Sequence, residues 1–434
     1  MIPFLYSFFR TRYNQYRFTS RAQLEKWQDR QVRDIIQYAM KHSPFYAKQF
    51  KSHNLNEWRS LPLCDKELMM EIFDQFNTVG IKKANAFDVA LSAETSRDFS
   101  GHIQDITIGL SSGTSGNRGL FLVSAAERSR WAGAILAKVL PSTLLKKQRI
   151  ALFLRANSSL YTTVQSRRVQ FTYFDLSEPV EELSATLTSF DPTILVAPPS
   201  MLRILAKLEA KIQPTKIISV AEVLDPLDEA YIEAHFNQKV HQIYQCTEGF
   251  LASTCSHGTI HLNEDLVVIE KEYIDKKEGK FIPIITDMNR YSQPIIRYRL
   301  NDILTESREP CPCGSIFTPL ESIEGRCDDM FYGISTQDPN LLTPIFPDYI
   351  RRAIITTSPL IKEYKAIQEK PNLIRIYLRS DQRSQKELFL KVEKALQALF
   401  QRHQCLVPVV QIDKEQHTRH ATEKLRRVRR TFKP

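Results

Sequence analysis

Between Arg149 and Tyr244 the sequence alternates two textures. Short apolar runs, RIALFLR, TILVAP, KIISV and VHQIY, are separated by stretches with helical spacing such as MLRILAKLEA and PLDEAYIEAHF. Continuous apolar runs of strand length belong to strands buried on both faces. A helix between successive strands implies a parallel sheet, because a parallel connection has to cross back over it. The second helix carries its own start signal, with Asp225 at the N-cap position and Pro226 at the first helical position. This alternation restricts the chain to an α/β fold built on a parallel sheet with helices on its faces.

The flanks add to this plan. Residues 21–42 place Leu24, Trp27, Val32, Ile35, Ile36 and Ala39 on one helical stripe, which should end before Pro44. After residue 260, LVVIEKEY, FIPIITD and IIRYRLNDIL are strand-like and separated by turns such as KKEGK, so this part should be more antiparallel. Beyond IEGRCDDMF a smaller unit is expected, with strands at YKAIQ and LIRIYLR and a helix over 386–402. A chain of 434 residues is too long for one core and suits two or three domains. We place the boundary at 326–328, giving a large domain 1–326 and a small C-terminal α+β domain 327–434.

Lysine and arginine outnumber aspartate and glutamate by 59 to 49, a net charge of +10. That excess suits anionic ligands such as nucleotides, and no basic, aromatic-rich module points to nucleic acid. Seven cysteines, odd in number and unevenly placed, do not make a disulfide framework. The opening MIPFLYSFFRTRY lacks a basic leader and a small-residue cleavage site, and no apolar run reaches the ~20 residues of a membrane span. A cytoplasmic protein is expected, with Phe4–Phe9 in a helix that packs on the body rather than on a membrane.

The stretch LSSGTSGNRG, residues 110–119, gathers glycines and hydroxyls. Such a loop can wrap a phosphate with backbone N–H groups and hydroxyl donors. It lacks the lysine of the NTPase loop and the spacing of the dinucleotide fingerprint. Alone it also fits a serine-rich surface turn. IYQCTEG, residues 243–249, follows a buried strand and offers a ring, a hydroxyl and a carboxylate where open α/β sheets bind ligands. PIIRYRLND ends in Asp302, IEGRCDD sits at the domain boundary, and ATEKLRRV carries Lys424.

Taken in this order, these segments resemble the adenylate-forming superfamily of acyl-CoA synthetases, luciferases and adenylation domains, most of all its phenylacetate–CoA ligase-like branch. The likeness runs from HSPFY to EKLRRV. It implies that ATP and a small carboxylic acid, aromatic by that likeness alone, form an acyl-adenylate, which a thiol, usually of coenzyme A, then attacks. It implies that Ser111, Ser112, Gly113, Thr114, Ser115, Gly116 and Arg118 hold the β- and γ-phosphates. Ala221 and Glu222 of SVAEVL lie beside adenine, Tyr244 stacks on it and Gln245 neighbours the acyl pocket. Thr247 meets the α-phosphate, Glu248 holds Mg2+, Asp302 accepts the ribose hydroxyls and Arg326 lies near the ribose. Asp328 is the hinge and Lys424 the lysine that bridges the acyl carboxylate and the α-phosphate. Three positions depart from the pattern. Asn117 and Arg118 stand where the family has a proline or lysine nearby, and Arg118 is expected to supply that charge. Gln245 replaces a glycine before the Thr–Glu pair. Glu423 replaces the glycine before the lysine. An acyl carrier protein or a non-thiol acceptor, and a non-catalytic nucleotide-binding relative, stay open as alternatives, and a homodimer is allowed for.

A second constellation joins Cys255 and His261 of TCSHGTIH to Cys311 and Cys313 of CPCG. Three thiolates and an imidazole make a tetrahedral set that suits a structural Zn2+, and similar residues recur in the same branch. Cys327 and His257 are weaker substitutes. Cys246 has no histidine or aspartate partner in its neighbourhood to make it a nucleophile.

Overall fold

The helix Arg21–His42 buries Leu24, Trp27, Val32, Ile35, Ile36 and Ala39, the stripe read from the sequence. Ser20 caps its start by accepting from Gln23 N. Ser43 serves two helices: its N–H closes on Ala39 O, and its hydroxyl accepts from Tyr46 N at the start of Pro44–Phe50. Pro44 therefore both ends one helix and opens the next. The computed structural model describes residues 2–111, 118–141, 144–381, 385–414 and 425–434. The chain divides into two compact units, Met1–Leu224 with Ile232–Leu300 and Thr305–Ser322, and Asp225–Tyr231 with Asn301–Leu304 and Ile323–Pro434.

The first unit contains the expected parallel sheet. Its strands are Gln148–Leu154, Val169–Asp175, Ile194–Ala197, Lys216–Ser219 and Val240–Cys246. They pair in parallel with Ile150 opposite Phe171 and Ile194, Ile194 opposite Lys216, and Ile217 opposite Val240. Numbered along the chain, their order in space is 2-1-3-4-5, a doubly wound arrangement that binds ligands beyond the carboxyl ends of its strands. One face packs on the helices Val180–Phe190 and Pro199–Lys207 through Leu183, Leu187, Met201 and Leu205. The other packs on Ala125–Val139 through Ala132 and Leu136.

The helix Ile2–Arg17 lies against Ala125–Val139. A Cβ at Gly133 would meet Phe4 O at 2.3 Å, so glycine is what lets the two backbones approach. Phe8 is 5% exposed in that seam, and burying such a ring contributes ~2–3 kcal/mol. Past Cys246 the sheet turns antiparallel, with Gly249–Thr254 beside Val240–Cys246 and Ile260–Leu262 beside Gly249–Thr254. Val267–Asp275 and Lys280–Asp287 form the expected hairpin. The run IIRYRLNDIL is two short strands, Tyr298–Arg299 and Asp302–Glu306, rather than one. Arg297 enters with φ +45°, a turn conformation that an unbroken strand cannot contain.

The second unit has a four-stranded sheet in the order Val409–Lys414, Leu373–Ser380, Ile361–Lys370, Val428–Arg430. Helices Pro347–Ile355 and Gln385–Arg402 supply Ile350, Ile354, Leu388, Val392 and Leu396 to its core. Arg427 is buried here against Asp228, with Nη2 2.7 Å from the carboxylate. Asp225 accepts from the Tyr364 hydroxyl at 2.7 Å. Among the described residues no helix is long and apolar enough to cross a membrane.

Candidate functional site

The glycine-rich stretch is the loop of a hairpin. Strands Ile106–Leu110 and Leu120–Ser124 run antiparallel, with Leu110 opposite Leu120. Ser111 N donates to Gly119 O at 2.7 Å, and Gly119 N donates to Ser111 Oγ at 2.7 Å. The neck of the loop is thus closed by its own backbone. Ser112, Gly113, Thr114, Ser115, Gly116 and Asn117 lie outside the described residues, as do Glu423 and Lys424.

Arg118 reaches this neck, its Nε donating to Ser111 O at 3.3 Å. Its guanidinium is paired with both oxygens of Glu94, with Nη1 2.8 Å from Oε2. A second cation reaches Ser111: Lys66, whose Nζ donates to Ser111 Oγ at 3.0 Å. A Cβ at Gly119 would come within 2.9 Å of the Lys66 stem, so the glycine leaves room for that lysine. Sequence reading passed over Lys66, because nothing local distinguishes it from other surface lysines. Its position comes from its neighbour: Cys64 forms a bridge with Tyr298, donating to Arg297 O at 3.0 Å and accepting from Arg299 N at 2.8 Å.

Tyr298 extends the same contact toward the Thr–Glu turn. Its buried hydroxyl lies 3.2 Å from Glu248 Oε1, and Thr247 Oγ1 donates to Glu248 Oε2 at 2.8 Å. Burial, with the Glu248 charge next, pushes the Tyr298 phenol far above its usual range, so it stays a neutral donor. Burial likewise lifts the Cys64 thiol to about 12, which makes it packing and not a nucleophile. Tyr244 is buried on the last parallel strand, and the pairing with Gly249–Thr254 shifts register between Tyr244 and Gln245. A bulge at that point re-aims the residues that follow it.

Arg290 welds the turn to the hairpin. Nη1 donates to Thr247 O at 2.9 Å and Nη2 to Leu122 O at 3.4 Å. Glu127, buried at the start of Ala125–Val139, holds the Arg290 segment by accepting from Tyr291 N at 2.6 Å and Ser292 N at 3.0 Å. Burial opposes ionisation of Glu127, but Arg290 and the hydrogen bonds of Ser124 and Ser292 outweigh it and hold its carboxyl below the usual range.

At the neighbouring strand end, Glu222 N donates to Val220 O at 2.8 Å across Ala221, whose φ is +66°. That is a γ-turn of the rare, strained kind, in a residue with a Cβ. Arg155, just past the first parallel strand, donates to Glu222 at 3.0 Å and fixes the turn from the side. Asp302, Arg326 and Asp328 belong to the second unit. Asp302 opens its strand, Arg326 ends Pro319–Arg326, and Asp328 accepts from Asn301 Nδ2 at 2.8 Å.

The donor atoms of Cys255, His261, Cys311 and Cys313 all lie within 4.8 Å of one another. Cys255 Sγ is 3.7 Å from Cys311 Sγ, and Cys313 Sγ is 3.5 Å from His261 Nε2. A tetrahedral ion with Zn–S ~2.3 Å and Zn–N ~2.0–2.1 Å requires S–S and S–N edges of ~3.8 and ~3.6 Å. His261 Nδ1 lies 2.9 Å from Phe317 O, which leaves Nε2 as the ligating nitrogen. The residues present fit zinc in donor type, count and spacing.

Solved structures of this architecture decide the fold. The likeness to 2-hydroxyisobutyryl-CoA ligase in its postadenylation state, in complex with 2-HIB-AMP, has a TM-score of 0.69 at 16% identity and covers 95% of this chain and 90% of that one. The fold is that of the adenylate-forming superfamily. A GH3.15 acyl acid amido synthetase matches at a TM-score of 0.57 and 13% identity, over 90% of this chain and 86% of that one. The amide bond synthetase McbA from Marinactinospora thermotolerans matches at 0.51 and 12%, over 74% and 67%. No family model and no curated protein matches the sequence. Within the adenylate-forming fold the first unit brings together the Ser111–Gly119 neck, Lys66, Thr247, Glu248 and Tyr298 through the Cys64 bridge and Arg290.

Proposed function

We propose that the protein activates a carboxylic acid with ATP, forming an acyl-adenylate and pyrophosphate, and passes the acyl group to the thiol of coenzyme A. One observation carries this reading: a lysine, a glycine-rich neck and a Thr–Glu turn are tied together by Lys66–Ser111, Cys64–Tyr298, Tyr298–Glu248 and Arg290. Hydroxyl, amide and ammonium donors on one side suit a triphosphate. The Glu248 carboxylate, tied to them through Tyr298 and Cys64, suits the magnesium that accompanies it, since that cation is held by one or two carboxylates plus phosphate oxygens.

In this reading Lys66, Ser111 and the loop amides hold the β- and γ-phosphates, where charge accumulates as pyrophosphate departs. Thr247 orients the α-phosphate. Tyr244 and the Ala221–Glu222 turn flank adenine. Glu248 holds magnesium, whose charge offsets that of the phosphates. Asp302 and Arg326 bind the ribose, and Lys424 draws the acyl carboxylate onto the α-phosphate. The small domain turns about Asp328 between the two half-reactions. Cys255, His261, Cys311 and Cys313 hold a structural zinc that closes the loops around them, with no open position for chemistry.

Two solved structures with this fold are named as amide-forming synthetases. An amine acceptor is therefore the second reading for the acyl transfer. Acid-dependent ATP–pyrophosphate exchange across a panel of aromatic and short-chain carboxylic acids tests the first half-reaction. Product analysis with coenzyme A against amines then separates the acceptors. No exchange with any acid, in protein that binds ATP, would leave a nucleotide-binding protein without this activity.

A further inference from the structure

The helix Ile2–Arg17 is covered on one face and leaves an apolar stripe on the other. Ser7, Phe8, Thr11 and Asn14 are buried against the body. The opposite face carries Ile2, Tyr6, Phe9, Tyr13 and Tyr16, exposed at 83%, 59%, 63%, 64% and 78%. Their spacing alternates four and three residues, so they fall within about 80° of the helix circumference, a stripe ~21 Å long. Single exposed apolar side chains are ordinary on a protein surface, whereas five in line mark a contact.

Charge says which kind. The helix contains Arg10, Arg12 and Arg17 and no acidic residue. On its helical wheel Arg10 and Arg17 border the stripe on one side, while Arg12, on the other, donates to Leu140 O of the body at 3.2 Å. Arg10 lies 5.9 Å from the Tyr6 ring centre and Arg17 5.5 Å from that of Tyr13. Exposed Arg30, half-buried Arg33 and exposed Asp34 of the following helix line an open recess beside Trp27, which leaves it one net positive charge. A second copy seated stripe to stripe would bring arginines against arginines without a carboxylate from either helix. A lipid surface of anionic headgroups supplies the missing charge, and rings such as Tyr and Phe favour the headgroup level. We propose that the face formed by Ile2, Tyr6, Phe9, Tyr13 and Tyr16 lays this helix flat on an anionic lipid surface, with Arg10 and Arg17 along one edge meeting the lipid phosphates.

The test is co-flotation of the full chain with vesicles of phosphatidylcholine alone or with about 30 mol% phosphatidylserine. The protein should partition at least ~10-fold more onto the anionic vesicles, and raising NaCl from about 0.1 to about 0.5 M should release most of it. The double variant Phe9→Ser/Tyr13→Ser should lose ~10-fold or more of that partitioning. Its melting temperature and its ATP binding should not change, since both side chains face solvent. Equal recovery on the two vesicle types, or none on either, would overturn the proposal. So would a dimer in sedimentation equilibrium that the double variant dissociates, because the stripe would then be a self-association face.

Discussion

Lys66→Met is the sharpest test of how the phosphates are held. The Nζ lies 3.0 Å from Ser111 Oγ. A phosphate oxygen accepting from that hydroxyl at ~2.7 Å is then no farther than ~5.7 Å from the ammonium. At an effective dielectric of ~20, one unit charge at that distance interacts by ~3 kcal/mol, or ~100-fold in a rate or equilibrium constant. Removing the ammonium should therefore lower acid-dependent ATP–pyrophosphate exchange by ~30–300-fold, much of it as a raised KM for ATP. Stability should move the other way. Lys66 is the first residue of the helix Lys66–Glu71, where a positive charge opposes the helix dipole, so methionine should leave the melting temperature equal or slightly higher. Lys66→Arg should recover part of the exchange. A loss below about threefold, or a parallel loss of activity and stability, refutes the assignment and returns Lys66 to the role of a strut for the loop.

Other perturbations separate the remaining assignments. Glu248→Gln should cut exchange by ~100-fold and raise the magnesium concentration needed for half-maximal rate, and an unchanged magnesium dependence would count against it. Protein purified without chelator should carry about one zinc per chain, and Cys311→Ser should lose that metal and ~5 °C or more of melting temperature; metal analysis decides it. Burial lifts the Asp287 carboxyl from 3.8 to about 6, so the folded protein holds that proton more tightly than the unfolded chain. The cost, ~3 kcal/mol at most, is absent below about pH 4 and fully present above about pH 7. Asp287→Asn should therefore raise the melting temperature at pH 8 and change it little at pH 4, by calorimetry at both. Lys424→Ala should lower adenylate formation by ~10²–10³-fold while Arg429→Ala changes it little; equal effects would make the lysine part of a basic surface.

The parallel sheet was legible because strands buried on both faces cannot hide their composition. Four of its strands read directly from apolar runs. The fifth, Val169–Asp175, did not, because it is the edge strand and only its ends are buried. The Cys–His cluster was legible from chemistry alone, since few roles gather three thiols and an imidazole. IIRYRLNDIL misled because its β-branched and aromatic content outweighs the turn at Arg297, which only the tertiary setting imposes. Lys66 was beyond local pattern altogether. Its place depends on Cys64 meeting Tyr298 across a long loop of chain, a contact that leaves no periodicity to read. Arg118, singled out from the sequence, does meet the neck at Ser111 O, while its guanidinium also pairs with Glu94.

The way these groups are joined shows how one unit can hold the proposed nucleotide site in place. Glu127 caps its own helix through Ser124 and, with the same carboxylate, holds Tyr291 and Ser292. That segment presents Arg290, whose two nitrogens reach Thr247 on one side and the hairpin strand after the glycine-rich stretch on the other. Gln293 repeats the connection, accepting from Leu122 N at 3.0 Å and donating to Leu120 O at 3.2 Å. The loop neck and the Thr–Glu turn are thus fixed to a common segment before any ligand arrives. Phosphoryl chemistry gains most from positioning and from dipoles that need not reorganise as charge moves. In the proposed adenylation, the buried carboxylate of Glu127 would therefore act on the rate through the groups it positions.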